Sequence, residues 1–353
     1  SLIGLHVHLH LPRGPGVIIV GILGVLLCSL IFSGIFAHPR IFRDAFRWRR
    51  SKDHLGEADL HNRLSVWNLP FMLIIAVSGA FFGIYNFALM AVAFSQNDGD
   101  YMEMIGTIYG KGIEVEASVQ TPDFNRALTT LSENAPDTYP FQITVEQAKT
   151  EHQYFTVTVK HPGRMIYGEE YHFDQFGELR EKHGFSDGPV GRQVLISIHS
   201  LHLGDYGGLG IKWLYALLGL AMAVVSASGF TVWLRRRKGS DWLKAFWPGL
   251  IWGTPFALII TGICSVIFRL PPSPVFWAVV LVSIVAAFRI RDENTVRGML
   301  RLATAGASGL LVLAYMVRFG GDALNTLSMS VNAVLLMISV FLFYLSLSPR
   351  NKN

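Results

Sequence analysis

The sequence predicts a membrane-embedded all-α helical bundle carrying one small external α+β domain. Three observations predict it. The 353 residues are 51% hydrophobic and only 16% charged, with a mean hydropathy of +0.38, whereas soluble domains carry about 25% charge. Apolar runs recur at lengths suited to a hydrocarbon core of ~30 Å, which takes about 20 helical residues to cross. The polar residues, by contrast, gather mainly in one stretch, 93–209.

Taken in order, the apolar runs place spans near 17–37, 65–92, 210–234, 246–268, 274–289, 299–318 and 326–347, the fifth being short. Basic loops set their orientation, because Lys and Arg stay on the cytoplasmic side. "RIFRDAFRWRRSK" (Arg40 to Lys52) follows the first span and "RRRK" (Arg235 to Lys238) the third, while "RIRDENTVR" and the terminal "RNK" repeat the bias. Alternating spans put all four on one side, which is then cytoplasmic, and put 93–209 outside, in the periplasm of a Gram-negative cell. The net charge of +5 therefore reflects topology, and nucleic acid is not an expected partner; membrane lipid is. Residue 1 falls outside the cytoplasm, so an earlier span is expected ahead of it, making about seven spans in this chain and eight in the whole protein. The expected organisation is a first histidine-bearing pair of spans (1–92), an external domain (93–209), a third histidine-bearing span (210–238) and a C-terminal four-span bundle (239–353).

The external segment opens with a Gly/Asp-rich linker, "SQNDGDYMEMIGTIYGKG". "TPDFNRALTTLSENAP" reads as a helix, with Thr121 at the N-cap and Pro122 at the first helical position. "FQITVEQA", "YFTVTVK" and "EEYHFDQFGEL" alternate apolar and polar residues like half-buried strands. A helix followed by a small antiparallel sheet is the economical reading. No G-x-S-x-G, H-E-x-x-H or glycine-rich phosphate loop occurs here, so no hydrolase chemistry is expected. His152, His161, His172 and His183 read as solvated surface residues.

An internal repeat organises the rest. His6 precedes the Ser33–Gly34 pair, His202 precedes Ser228–Gly229, and His61 precedes Ser78–Gly79, each histidine standing before an apolar span that ends in Ser-Gly. Small residues let helices approach closely in a bilayer, so the serine–glycine pairs alone imply only packing. The histidines ask for more. On the predicted topology His6, His199 and His202 lie at the outer face, and His38 and His61 at the inner face. Two imidazoles opposed between helices fill both axial positions of a b-type haem, and haem iron takes histidine readily. This reading makes His6, His38, His61 and His202 the axial-ligand candidates for two haems, with His199 and His10 behind them. Arg13, Arg40 and Arg63 stand at the mouths, where haem propionates would lie. The two cysteines, Cys28 and Cys264, sit inside separate apolar runs without a C-x-x-C-H motif, so the haem would be held without thioether bonds. A bilayer-boundary histidine also serves as a helix cap or headgroup contact, and "HVHLH" offers His6 and His10 at i, i+4 as a surface divalent-metal pair.

"SGIFAHPRIFRDAFRWRR" joined to "DLHNRLSVWNLPFMLIIAVSGAFFGI" resembles the PepSY-associated transmembrane family, which is linked to bacterial iron uptake. The shared pattern is Ser-Gly, a short apolar run, a His with a basic neighbour, Ile-Phe-x-Asp-x-Phe, Asp-x-His-Asn, apolar-Pro-Phe and a further Gly-ended span. "LHLGDYGGLGIKWLYALLGLAMAVVSASGFTVWLRRR" is similar to the family's later block, and "LHVHLHLPRGPG" to its Leu-His entry to a span. The resemblance covers about 1–240. It implies a haem b-containing inner-membrane reductase that passes electrons from a cytoplasmic or quinol donor to a ferric siderophore and releases Fe(II) in the periplasm. It also implies that the haem ligands fall among His6, His38, His61 and His202, and that the external domain is a PepSY-like helix–sheet unit. Two other readings of the residues stay open: a transporter whose histidines line a proton or metal path, with Pro70, Pro248 and Pro255 as helix breaks, and a membrane-anchored sensor or inhibitor module that binds a protein partner.

Overall fold

The computed structural model describes every residue except 1, 39, 47–53, 97, 111, 117–119, 167, 187, 240 and 348–353; side chains of 54–57, 107, 109 and 241 are likewise outside the description. The basic stretch 47–52 and the terminal "RNK", both used above for topology, lie outside the described residues.

Among the described residues, seven helices are long and apolar enough to cross a membrane. A short helix, α1 (Leu2–His8), precedes the first of them, α2 (Arg13–Ala37). Next come α3 (Ile41–Ala45), α4 (His54–Trp67) and the second span, α5 (Leu69–Gln96). The expected start at 65 is displaced because the helix is interrupted at Asn68. That side chain is buried and its Nδ2 donates to the Leu218 carbonyl at 2.9 Å. Pro70 sits in the first turn of α5, where its missing N–H costs nothing. The linker is not wholly irregular: α6 (Tyr101–Tyr109) forms there, with the Asp100 carboxylate capping the Glu103 N–H at 2.9 Å.

The α+β domain follows. Helix α7 (Phe124–Asn134) is capped by Asp123, whose carboxylate accepts from the Arg126 N–H at 3.0 Å. Thr121 therefore is not the N-cap; Asp123, two residues on and directly before the helix, reaches an orphan N–H of its first turn. Strands β1 (Tyr139–Glu146), β2 (Tyr154–Lys160), β3 (Glu169–Asp174) and β4 (Leu179–His183) pair antiparallel in simple 1-2-3-4 order. Ala127 and Leu131 of α7 pack on Phe155, Val157 and Val159 of β2 and on Tyr171 and Phe173 of β3. Alternation fixes this face, since residues two apart in a strand point the same way. The fourth strand escapes a search for alternating apolar residues: "LREKH" has one apolar residue and is held by its register on β3.

Helix α8 (Val190–Leu203) ends at Gly204, whose φ of 61° suits a left-handed C-cap. The third span, α9 (Gly208–Arg236), is followed by α10 (Asp241–Phe268), α11 (Pro272–Ile290) and α12 (Glu293–Phe319). A 3₁₀ turn (Gly320–Leu324) leads to α13 (Thr326–Leu347). Gly249 and Gly253, four apart on α10, let the backbone of α11 approach at Ser283 and Ile284, the small-residue contact on which helices associate in lipid. Pro248 and Pro255 lie inside one continuous α10, so they do not supply the broken helix that the transporter reading would use.

The chain forms two compact units. One comprises Ser1–Val20, Arg49–His61 and Val224–Asn353; the other, Gly21–Trp48 and Asn62–Ala223. Each is described by itself below.

Candidate functional site

In the first unit, His61 of α4 meets the second half of α9. Its Nδ1 lies 3.0 Å from the Val225 carbonyl oxygen and 3.1 Å from Ser228 Oγ. A carbonyl can only accept, so Nδ1 carries the proton. The Ser228 hydroxyl spends its own proton on the Val224 carbonyl at 2.7 Å and is free to accept from the ring. The imidazole is thereby fixed as the Nδ1–H tautomer with its lone pair on Nε2. Burial holds the His61 pKa below its ordinary value, against the raising effect of the Val225 hydrogen bond, so the ring is neutral at pH 7. Gly229 completes the cradle: a Cβ there would stand 2.8 Å from His61 Cε1.

The second unit repeats the arrangement with roles exchanged. His202 of α8 places Nδ1 2.7 Å from Ser78 Oγ on α5, and the Ser78 hydroxyl donates to the Ile74 carbonyl at 2.5 Å. A Ser78 hydroxyl committed to Ile74 accepts from a proton on His202 Nδ1. Gly79 faces His202 Cε1, with 3.7 Å from an added Cβ. Phe82, one turn along α5, stands edge-on to both His202 (5.3 Å between centroids) and His199 (5.8 Å). The histidines thus do not use the serine–glycine pair that follows them in sequence. His61 takes the pair of the third span and His202 that of the second. Ser33–Gly34 holds no histidine in this way: Gly34 has open space where a Cβ would be, and Ser33 donates to the Leu30 carbonyl.

The remaining candidates divide. His6 is exposed on α1. His38 is half-buried just past α2, with a buried Nδ1 that has no hydrogen-bond partner among the described residues. His10, placed behind His6 on sequence grounds, is the better buried of the two at 7% exposed. The chain turns sharply there (φ 54° at Leu9 and 55° at His10), and Trp277 Nε1 donates to the Leu9 carbonyl at 3.1 Å. The His10 ring then packs on Phe276 with Nδ1 3.2 Å from Ser273 Oγ. Because α1 ends at His8, His6 and His10 do not share the helical register a surface metal pair needs, and His8 is turned to the Leu11 carbonyl at 2.7 Å. Among the described residues no group of three or more His, Cys, Asp or Glu is placed to hold a bare metal ion. Of the arginines, Arg13 and Arg40 are exposed and Arg63 is buried. Both cysteines are free.

The domain histidines correct one expectation. His152 is exposed, but His172 and His183 are each only 6% exposed. Their rings lie 4.5 Å apart on the sheet face opposite α7, with His172 Nδ1 3.0 Å from Thr156 Oγ1 and His183 Nε2 3.2 Å from Glu181 Oε1. Gly110 closes over them: a Cβ there would fall 1.6 Å from His183 Cε1. The polar face of the sheet is thus covered, which a strand pattern of alternating polarity does not reveal. His161 is also mostly enclosed, bonded through Nε2 to the fully buried Glu169 at 2.6 Å.

The family model described as the PepSY-associated TM region matches residues 2–236. The chain belongs to that family. Both histidine–serine–glycine cradles lie inside the matched region, whereas α10–α13 lie beyond it. The chain is also similar to an uncharacterised protein of Pseudomonas aeruginosa, 27% identical over 248 residues, or 66% of this chain and 63% of that protein. The match thus spans less than two thirds of that relative's length. As a member of the family the chain is a multi-pass membrane protein, with seven candidate spans among the described residues and a small antiparallel α+β domain.

Proposed function

We propose that this protein is a haem b-containing reductase of the bacterial inner membrane that passes electrons across the bilayer to a ferric siderophore and frees Fe(II) in the periplasm. One observation carries the reading: His61 Nδ1 donates to the Val225 carbonyl, which leaves its lone pair at Nε2, and His202 Nδ1 is held in the same way against a span serine, 2.7 Å from Ser78 Oγ. An iron-ligating histidine characteristically donates its other N–H to a carbonyl or hydroxyl, which fixes the tautomer and raises the basicity of the ligating nitrogen. The donor set fits haem. Imidazoles are its common axial ligands, and the glycines beside both rings leave room that a side chain would occupy. His61 and His202 would each hold a haem iron, with further ligands drawn from His6, His38, His199 and His10.

When bound, haem supplies one-electron transfer. The protein's part is to hold the ring, set its potential and exclude competing reactions. Ser228 and Val225 orient His61, Ser78 orients His202, and Phe82 walls off the His199–His202 side of α8. The buried Arg63 is the best placed of the three arginines to neutralise a propionate within protein. At the acceptor, reduction weakens the grip of hard hydroxamate or catecholate oxygens because Fe(II) carries less charge than Fe(III).

The purified full chain should show a Soret band and sharp α and β bands on reduction. His61→Ala and His202→Ala should each lower bound haem by up to one equivalent in a pyridine haemochrome assay. Unchanged haem in both variants, or a colourless wild type, overturns the assignment.

A further inference from the structure

In the second unit, the α+β domain leaves large apolar side chains exposed mainly toward one end of its sheet. Among the described residues of 121–189 these are Tyr139, Phe141, Ile143, Met165 and Phe176. The first four, 37–48% exposed, lie along β1 or in the turn that joins β2 to β3. None of the four belongs to the core that α7 covers. β1 is moreover an edge strand of the 1-2-3-4 sheet. An apolar edge facing water is a template for unwanted strand pairing, so this patch calls for a cover.

Ion pairs place the patch. Lys160, the last residue of β2 and the register partner of Tyr139, is paired with Asp205. Asp205 lies between the end of α8 at Leu203 and the start of the third span at Gly208. It also pairs with Lys212, about one turn into that span, at 3.3 Å. The 29 residues of α9 run about 43 Å, longer than a ~30 Å hydrocarbon core, so the first turn of the helix stands at headgroup level. Lys212 and the exposed Trp213 beside it are the residue types that mark that level. The other end of α8 is fastened to the same end of the sheet: Ser186, four residues before the helix, donates to Glu169, the first residue of β3, at 2.5 Å. The apolar end of the sheet is thus the end tied to the membrane boundary.

We infer that this end of the domain rests in the bilayer leaflet at which α9 begins, with Tyr139, Phe141 and Met165 at the boundary between phospholipid headgroups and acyl chains. Aromatic side chains favour that boundary, and Lys160, held over the Phe141 ring at 5.1 Å, keeps a cation at headgroup level. Two features limit the depth. The outer row of N–H and C=O groups on β1 is intolerable in hydrocarbon, and Asp137, exposed two residues before Tyr139, keeps to water. The contact is therefore interfacial, as for a helix or loop lying on a membrane. A second copy adding its own strand to β1 shares the apolar chemistry but does not account for the patch standing beside the entry of a span. The inference needs only the membrane topology and is independent of the reductase reading. Its consequence for that reading is positional, since the helix tied to this end of the sheet, α8, carries His202.

The test uses the full chain with Cys28 and Cys264 replaced by serine and one new cysteine, Met165→Cys or Tyr139→Cys, carrying a nitrobenzoxadiazole fluorophore. Glu151→Cys is the reference: it is exposed in the β1–β2 turn, at the opposite end of the sheet. Each protein is placed in phosphatidylcholine nanodiscs with and without a lipid bearing a nitroxide near the headgroup end of its acyl chain. The nitroxide lipid should quench the labels at 165 and 139 severalfold more than the label at 151, and aqueous iodide should quench them severalfold less. Phe141→Ser removes a ring that lies outside the α7-covered core, so the domain should fold, yet the membrane-resting fraction should fall by up to about tenfold. Equal lipid quenching at 165, 139 and 151 overturns the contact. Labels at 165 and 139 shielded from both quenchers also overturn it and assign the patch to protein, such as a second copy. Unaltered lipid quenching at 165 in Phe141→Ser overturns the apolar patch as its cause.

Discussion

Substituting the two cradle glycines by alanine gives a differential measurement of what the imidazoles need. Gly79 and Gly229 occupy equivalent places: each follows a serine, lies inside a span and faces the Cε1 of a histidine. Alanine should gain about 1 kcal/mol of helix propensity at both, so that term cancels in the comparison. What remains is the contact. An alanine Cβ at 79 would sit 3.7 Å from His202, an ordinary van der Waals distance, whereas at 229 it would sit 2.8 Å from His61, closer than carbon atoms tolerate. His61 cannot simply yield, because Val225 and Ser228 hold its Nδ1. Overpacking of this kind costs about 1–3 kcal/mol, and a displaced ring forfeits a further ~1 kcal/mol of hydrogen bonding. Gly229→Ala should therefore melt below Gly79→Ala in a detergent thermal-unfolding assay and bind haem at least about tenfold more weakly, at 1.4 kcal/mol per decade. Equal stability and equal haem content in the two variants would refute the cradle as drawn.

The serines provide a second comparison. Ser78→Ala removes the hydroxyl 2.7 Å from His202 Nδ1, while Ser228→Ala leaves His61 its bond to the Val225 carbonyl; loss of such an orienting partner costs about 10–100-fold in metal affinity, so a haem titration should show the larger drop for Ser78→Ala. The α+β domain should be acid-sensitive. His172 is pushed down to about 4, by burial first and then by neighbouring His183, with Glu181 opposing. A histidine depressed in the folded state binds fewer protons than it does unfolded, so stability is full above the unfolded value near 6.5 and declines as pH falls from there toward about 4. The loss from this one group approaches roughly 3 kcal/mol. Thermal unfolding of the full chain across that window should flatten in His172→Gln, and an unchanged slope would assign the sensitivity to other groups nearby, His183, Glu170, Glu181 and Glu146 among them.

The spans and the recurrence of histidine with Ser-Gly were legible from sequence because they obey one-dimensional rules. Apolar length marks a membrane helix, and the pattern of histidine followed by Ser-Gly repeats in register. Partner choice was less plain, although chain geometry restricts it. His61 and Ser78 are 17 positions apart; at 1.5 Å per helical residue that is about 25 Å along a continuous helix, so one could not cradle the other without the chain folding back. The partner had to come from another segment, and the repeat itself supplied the alternatives. Thr121 was mistaken for the cap because Ser, Thr, Asp and Asn compete on similar terms, and "TPD" offers two of them. The fourth strand and the buried His172–His183 pair were hidden for a shared reason. Alternation signals a sheet with one wet face, but this sheet has α7 on one side and the chain at Gly110 against the other.

The exchange of partners between the two cradles has a physical consequence beyond the binding of any one group. If each histidine packed on its own following span, one helical segment could carry a site by itself and the spans could drift independently. Instead the segment that begins with His61 lends its Ser78 to His202, while the one that begins with His202 lends its Ser228 to His61. Each imidazole is therefore oriented only when a second, distant segment is in place. Hydrogen bonds between helices are individually modest in lipid, averaging ~0.6 kcal/mol, so the exchange is a weak source of stability. Its value lies in register: a one-residue slip of α9 moves Ser228 by 1.5 Å and about 100° around the axis, which removes the acceptor from Nδ1 altogether. A ligand of the proposed haem would have to be held to within about half an ångström to keep its potential defined. Pairing α4 with α9 and α8 with α5 achieves that without a large polar network inside the bilayer.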